Sequence, residues 1–208
     1  MKELMSYVIR EIEENACVTA DLAQSCSGPI IEAANAILSC LQAGGKLIAF
    51  GNGGSAAEAE HFVTELIGRY RTDRQALAAV SLTTDATSLT AIGNDYGFEC
   101  IFSRQLQAIA RPNDVVLAIS TSGNSPNILR AVEAAGVAGL FTIGLTGVTG
   151  GELRGLVRIC IGVPSNSTPR IQEAHSLIVH ILCGIVEDAV VSDRHPAGGI
   201  ERAIEEVR

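Results

Sequence analysis

From Gly44 onward the chain alternates short apolar runs with helical patterns, and this restricts its fold more than any other feature. The apolar runs lie at 46–50, 77–82, 114–119, 139–145 and 157–163. They are too short for helices and lack the strict alternation of half-exposed strands, as strands buried on both faces do. Between them, apolar spacing predicts helices over roughly 54–68, 85–92, 98–110 and 125–136, and a last long one over about 169–192. Strand alternating with helix predicts an α/β fold with a parallel sheet covered on both faces. Five such strands most simply form a flavodoxin-like, doubly wound sheet, in which ligands sit at the carboxyl ends of the strands. Upstream, residues 2–43 read as helical, with Pro29 placed as the first residue of a helix running to about Gln42. No linker, repeat or low-complexity segment appears. The expectation is one domain over 1–208: N-terminal helices to about 43, an α/β core over 44–192 and a short charged tail from 193.

Charge and composition narrow the function classes. A formal charge of −8, with basic residues scattered, argues against non-specific binding to nucleic acid. An anionic ligand would have to be held by backbone amides and hydroxyls. Hydrophobic residues make up 47% of the chain and aromatics only 4%, so small aliphatics dominate and some apolar surface is left over for subunit interfaces. The six cysteines form no CxxC pair and read as buried free thiols in a reducing compartment. The N-terminus lacks the character of a signal peptide and no apolar run reaches the length of a membrane span, so a cytoplasmic location is expected.

Two loops carry the strongest signals. Gly51-Asn52-Gly53-Gly54-Ser55 follows the first strand and opens a helix. Glycines let backbone approach a ligand, and a helix N-terminus offers free N–H groups to an anion. The letters also fit a dinucleotide fingerprint, but the second strand ends in Ser81-Leu82-Thr83-Thr84 where that motif wants an acid. Ser120-Thr121-Ser122-Gly123-Asn124-Ser125 follows the third strand and precedes Pro126 and a helix. Hydroxyls and amides converging there suit a phosphate monoester. In a 2-1-3 strand order the two loops flank one crevice and face one ligand.

The ionisable residues leave alternatives open. His61 and Glu65 share a face of the helix that the first loop opens; Gln172 and His180 lie eight apart on the last helix. Such a set can bind a divalent ion, or supply a general base and a general acid; a His–Glu pair at this spacing equally makes a surface ion pair. Asn94-Asp95, read as a turn before Tyr96-Gly97, suits sugar hydroxyls or a helix cap. His175 and His195 are read as structural.

Taken in order, the Gly51–Ser55 loop, His61 to Glu65, Gly93 to Gly97, the Ser120–Ser125 loop, and Arg170-Ile171-Gln172-Glu173 with His180 resemble the sedoheptulose 7-phosphate isomerases. These are also called phosphoheptose isomerases, and belong to the sugar isomerase (SIS) domain proteins. The likeness runs from the N-terminal helices to about residue 190. It implies conversion of sedoheptulose 7-phosphate to D-glycero-D-manno-heptose 7-phosphate through an enediol. That is the first step towards ADP- or GDP-heptose precursors of lipopolysaccharide or other glycans. It implies a homotetramer with active sites shared between subunits and one zinc per subunit. By position, Asn52, Gly53, Gly54, Ser55, Glu65, Asn94, Asp95, Ser120, Thr121, Ser122, Ser125 and Gln172 would bind substrate. Glu65 would be the base and His180 the acid, and His61, Glu65, Gln172 and His180 would hold the zinc. Pro169 departs from relatives that carry Asp before the Arg-Ile-Gln motif. Two rival readings share the fold: a non-catalytic SIS protein such as the one that associates with the bacterial replication initiator, and an isomerase of another phosphosugar.

Overall fold

The computed structural model describes residues 1–194; His195 and the rest of the expected tail lie outside the described residues. Two N-terminal helices, α1 (Lys2–Ser25) and α2 (Ser27–Gln42), lead into the alternating core. The core runs β1 (Leu47–Gly51), α3 (Gly54–Ile67), β2 (Ala79–Ser81), α4 (Ala86–Tyr96), α5 (Ile101–Ile109), β3 (Val115–Ile119), α6 (Pro126–Val137), β4 (Phe141–Thr146), α7 (Leu153–Leu156), β5 (Ile159–Gly162) and α8 (Thr168–Arg194). All four strand pairings are parallel, in the order β2-β1-β3-β4-β5. This is the doubly wound order expected from the sequence.

Residues of the central strands point alternately to the two faces. Leu47, Ala49, Leu117 and Ile119 join a core shared with α1, α2, α3 and α8. Ile48, Phe50, Val116 and Ala118 join a second core with α5, α6 and α7, against which Leu89 and Ile92 of α4 also pack. With both faces covered, β1 and β3 are buried at every position, which is why their sequences are unbroken apolar runs.

The structure corrects details of the sequence reading. α2 begins at Ser27, so Pro29 stands third in the helix; a missing N–H is tolerated there because first-turn amides have no intrahelical partner. Asn94 and Asp95 lie inside α4, which continues to Tyr96, and not in a turn. The segment 98–110 divides into a 3₁₀ turn at Phe98–Cys100 and α5. β2 has only three residues, and α7 had no counterpart in the sequence pattern. Cys17 is exposed rather than buried, and all six thiols are free. Thr168–Ser192 of α8 is long and apolar enough to cross a membrane by length and composition, contrary to the expectation that no run would be. Its apolar face is committed elsewhere: Ile171, Ala174, Ile178, Val179, Leu182 and Val186 are buried in the core.

Candidate active site

Gly51 and Ile119, the last residues of β1 and β3, are register partners, so both loops leave the sheet at the same level on neighbouring strands. In the first loop Gly53 has φ +56°, a conformation that favours glycine. A Cβ on Gly54 would stand 2.5 Å from Nε2 of Gln172, so glycine here leaves room for the Gln172 amide to lie against the start of α3. In the second loop Gly123 has φ +68°, and a Cβ there would collide with the Gly150 carbonyl. Ser120 Oγ accepts from Gly123 N at 3.1 Å and Ser122 Oγ from Asn124 N at 3.2 Å. Among the described residues the amides of Thr121, Ser122 and Ser125 make no backbone hydrogen bond, which leaves donors for an anion at the start of α6. Neither loop carries a cationic side chain.

Asn52 and buried Asn127 exchange reciprocal amide hydrogen bonds of 2.9 and 2.8 Å, tying the first loop to the first turn of α6, directly after the second loop. The Asn52 side chain is therefore engaged with protein. Asn127 was not singled out from sequence; as the second residue of a helix it gives no signal of its burial.

α3 and α8 pack in parallel, with their residues meeting in rising order. Gly54 meets Gln172, Glu58 Oε2 accepts from Ser176 Oγ at 2.5 Å, and His61 meets His180. The two imidazole Nε2 atoms are 2.9 Å apart, with ring planes at 87°. At that separation one nitrogen carries the proton and the other presents its lone pair. Glu65 Oε1 is 3.9 Å from His61 Nδ1, and Tyr70 stacks on His180 at a centroid distance of 5.6 Å. Glu58 was missed, although it precedes His61 by three and so shares its helix face. Its Oε1 is buried without a partner, beside a cavity of about 240 Å³ lined by Gly54, Ser55, Gln172, His175 and Ser176.

His175 is structural, as expected. It is 1% exposed with Nε2 3.2 Å from the Thr146 carbonyl, and burial pushes its pKa down to about 4, the carbonyl opposing only in part. Asn94 and Asp95 are exposed on α4, joined by a 2.8 Å hydrogen bond. Asp95 borders a cavity by β2 with Asp85, Ser88 and Arg104, and no described contact brings either residue to the loops.

The donors suit zinc in part. Two imidazole nitrogens 2.9 Å apart approach the roughly 3.3 Å separation of two ligands on one tetrahedral zinc. Glu65 approaches from the Nδ1 side of His61, and Gln172 lies against Gly54, away from the pair. Among the described residues no three His, Cys, Asp or Glu side chains are gathered closely enough to hold an ion.

The fold and paired loops define an SIS-type protein, and residues 13–147 match the SIS domain family. A phosphoheptose isomerase of Rhodospirillum rubrum is 53% identical over 167 residues, 80% of this chain and 89% of that protein. One of Trichlorobacter lovleyi is 44% identical over 187 residues, 90% of this chain and 95% of that protein. The structure of phosphoheptose isomerase GmhA from Neisseria gonorrhoeae superposes with a TM-score of 0.84 at 42% identity, covering 88% of this chain and 98% of that one. The chain belongs to the SIS domain family and, within it, to the phosphoheptose isomerases.

Proposed function

We infer that this protein is a phosphosugar isomerase that converts sedoheptulose 7-phosphate to D-glycero-D-manno-heptose 7-phosphate. One observation carries the reading: a hydroxyl- and amide-rich cradle at the switch point of the sheet stands beside two parallel helices bearing a His pair and a carboxylate. The cradle would take the phosphate through the free amides of Thr121, Ser122 and Ser125 and the hydroxyls of Ser120, Thr121, Ser122 and Ser125. Asn52, Gly53, Gly54, Ser55 and Gln172 would line the path of the sugar.

Isomerisation moves a proton between adjacent carbons through an enediol. Glu65, whose side chain is 20% exposed, would take the carbon proton and return it to the neighbouring carbon. His180, sharing a proton with His61, would donate to the carbonyl oxygen and recover the proton from the hydroxyl. The zinc expectation remains a proposal. His61 and His180 would supply nitrogen ligands and Glu65 an oxygen ligand; Gln172 would add its amide oxygen only by swinging its side chain away from Gly54 towards the pair. When bound, the ion would polarise the carbonyl and hydroxyl oxygens.

Assembly is likewise proposed. The exposed apolar residues Leu4, Met5, Val8, Ile9 and Ile12 of α1 support a subunit interface. The placement of Asn94 and Asp95 away from their own loops supports a homotetramer in which they would reach a neighbour's site. A cytoplasmic role at the entry to ADP- or GDP-heptose synthesis fits this activity. The non-catalytic reading has no use for the His61–His180 pair and is not favoured.

The test is NMR of the protein with sedoheptulose 7-phosphate in deuterated water. Aldose signals with deuterium at C2 establish the isomerase and the enediol together. No conversion, with or without added zinc, refutes the assignment.

A further inference from the structure

The segment between α3 and β2 is gripped from α8 through one buried carboxylate. Glu187 is 2% exposed and accepts four hydrogen bonds. Tyr70 N at 3.0 Å and Arg74 Nε at 3.2 Å reach Oε1; Arg71 N at 2.7 Å and Thr72 N at 2.8 Å reach Oε2. Burial pushes this carboxyl upward, but the three amides and Arg74 together outweigh it and hold it below its ordinary value.

Arg74 is equally buried, with its side chain 1% exposed. It donates to the carbonyls of Glu65 at 2.7 Å and Leu66 at 2.8 Å. These belong to the last turn of α3, whose carbonyls lack intrahelical donors. Arg74 thus closes the turn that carries Glu65. Glu187 stands about two turns beyond His180 on α8. Tyr70, at the head of the same segment, lies on one side of the His180 ring, with the rings 22° from parallel, and His61 meets that ring edge-on.

We propose that Glu187 and Arg74 form a positioning clamp for the isomerase. The clamp fixes the α3 turn bearing Glu65 and lays Tyr70 against His180, so that both proton-transfer groups are held in one relative geometry. This rests on the reading of Glu65 and His180 as the proton-transfer pair. A buried ion pair is a poor source of net stability compared with apolar packing, so its value here is geometric. A misplacement near 1 Å at reacting groups costs about 100-fold in rate.

The experiment uses the full chain. Glu187→Gln keeps the shape but turns an NH₂ against the backbone N–H donors. Its kcat is expected to fall roughly 10- to 100-fold. Its KM should stay near wild type, because both phosphate-side loops lie at the other end of α3. Val186→Ala, a cavity in the same helix turn, should lose stability while keeping its kcat. Tyr70→Phe retains the stacked ring and should retain kcat; Tyr70→Leu should lose it as Glu187→Gln does. A readout independent of turnover is the proton NMR of the His180 ring. In wild type and Tyr70→Phe the Tyr70 ring current displaces its signals. In Glu187→Gln and Tyr70→Leu they should return towards the free position.

Wild-type kcat in Glu187→Gln, a loss confined to KM, an equal kcat loss in Val186→Ala, or unmoved His180 signals would each overturn the clamp. If Glu187→Gln does not fold, the Tyr70→Phe and Tyr70→Leu pair decides. A wild-type protein without isomerase activity refutes the proposed function instead, and the NMR comparison still tests the clamp.

Discussion

Acid should destabilise this protein through His175 in a defined pH window. The ring is 1% exposed, its Nε2 is satisfied by the Thr146 carbonyl, and its Nδ1 is buried with no partner. A second proton would find no acceptor, and burial holds the pKa at about 4 against the ordinary 6.5. Between those values the unfolded chain binds more protons than the folded one, so stability rises with pH. The contribution is fully present above pH 6.5 and is lost as pH falls towards 4. The gap between about 4 and 6.5 is worth about 3 kcal/mol in full, of which about 2 kcal/mol is gone by pH 5. The assay is urea unfolding at about pH 7.5 and about pH 5, at one protomer concentration because assembly shifts apparent stability. Wild type is compared with His175→Gln, which keeps an N–H for Thr146 but does not titrate. Wild type should lose about 2 kcal/mol more than the variant on acidification. Equal losses in the two proteins would refute the argument, since every other titrating group is common to both.

Three further outcomes are expected. Glu65→Gln should lower kcat by about 10²- to 10⁴-fold in the deuterium-exchange assay, and a loss of only a few-fold would remove Glu65 from the role of base. Gly123→Ala must abandon φ +68° and meets the Gly150 carbonyl, so the cradle moves; KM for the sugar phosphate should rise at least about tenfold with kcat little changed. An unaltered KM would place the phosphate elsewhere. If zinc binds at the His pair, exhaustive chelation should abolish turnover and stoichiometric zinc should restore it. Full activity in metal-free protein, verified by elemental analysis, would sink the zinc proposal.

Much of this was legible from the sequence because fold and cradle are written in local patterns. The five apolar runs became five strands, and the strand order followed from their number and the intervening helices. The Ser120–Ser125 loop stood out as a candidate anion site because such a site at a helix N-terminus needs only contiguous residues, and the structure places the loop at the start of α6. The His61–His180 contact was within reach, since both residues were singled out as helix-face candidates. What could not be read was pairwise tertiary geometry. Asn127 acquires its meaning only opposite Asn52, 75 residues away in the chain. Glu187 acquires its meaning only when Tyr70, Arg71 and Thr72 turn three amides towards it. Asn94 and Asp95 were misplaced in a turn because Gly97 is a strong stop signal, and the helix runs up to it rather than ending before. Spacing put Gln172 with His180, but eight residues of helix separate them by about 12 Å, and the parallel partner helix takes each at a different level.

A chain of net charge −8 that binds an anionic sugar needs a reason why the whole protein does not repel it. The proposed cradle would supply one without using a cationic side chain. The amide dipoles of Thr121, Ser122 and Ser125 are fixed by the backbone and reinforced by the N-terminus of α6, so their field at a phosphate bound there would be local and cost no side-chain ordering. The protein's general negative charge acts over distances that salt screens, within about 10 Å at moderate ionic strength. In the proposed assignment the acid–base groups stand on α3 and α8, which would keep Glu65 away from the phosphate. A carboxylate beside a phosphate would be pushed towards its protonated form and lost as a base. On that assignment, separating the anion site at the sheet from the carboxylate along the helices would let one small domain bring both to the same ligand.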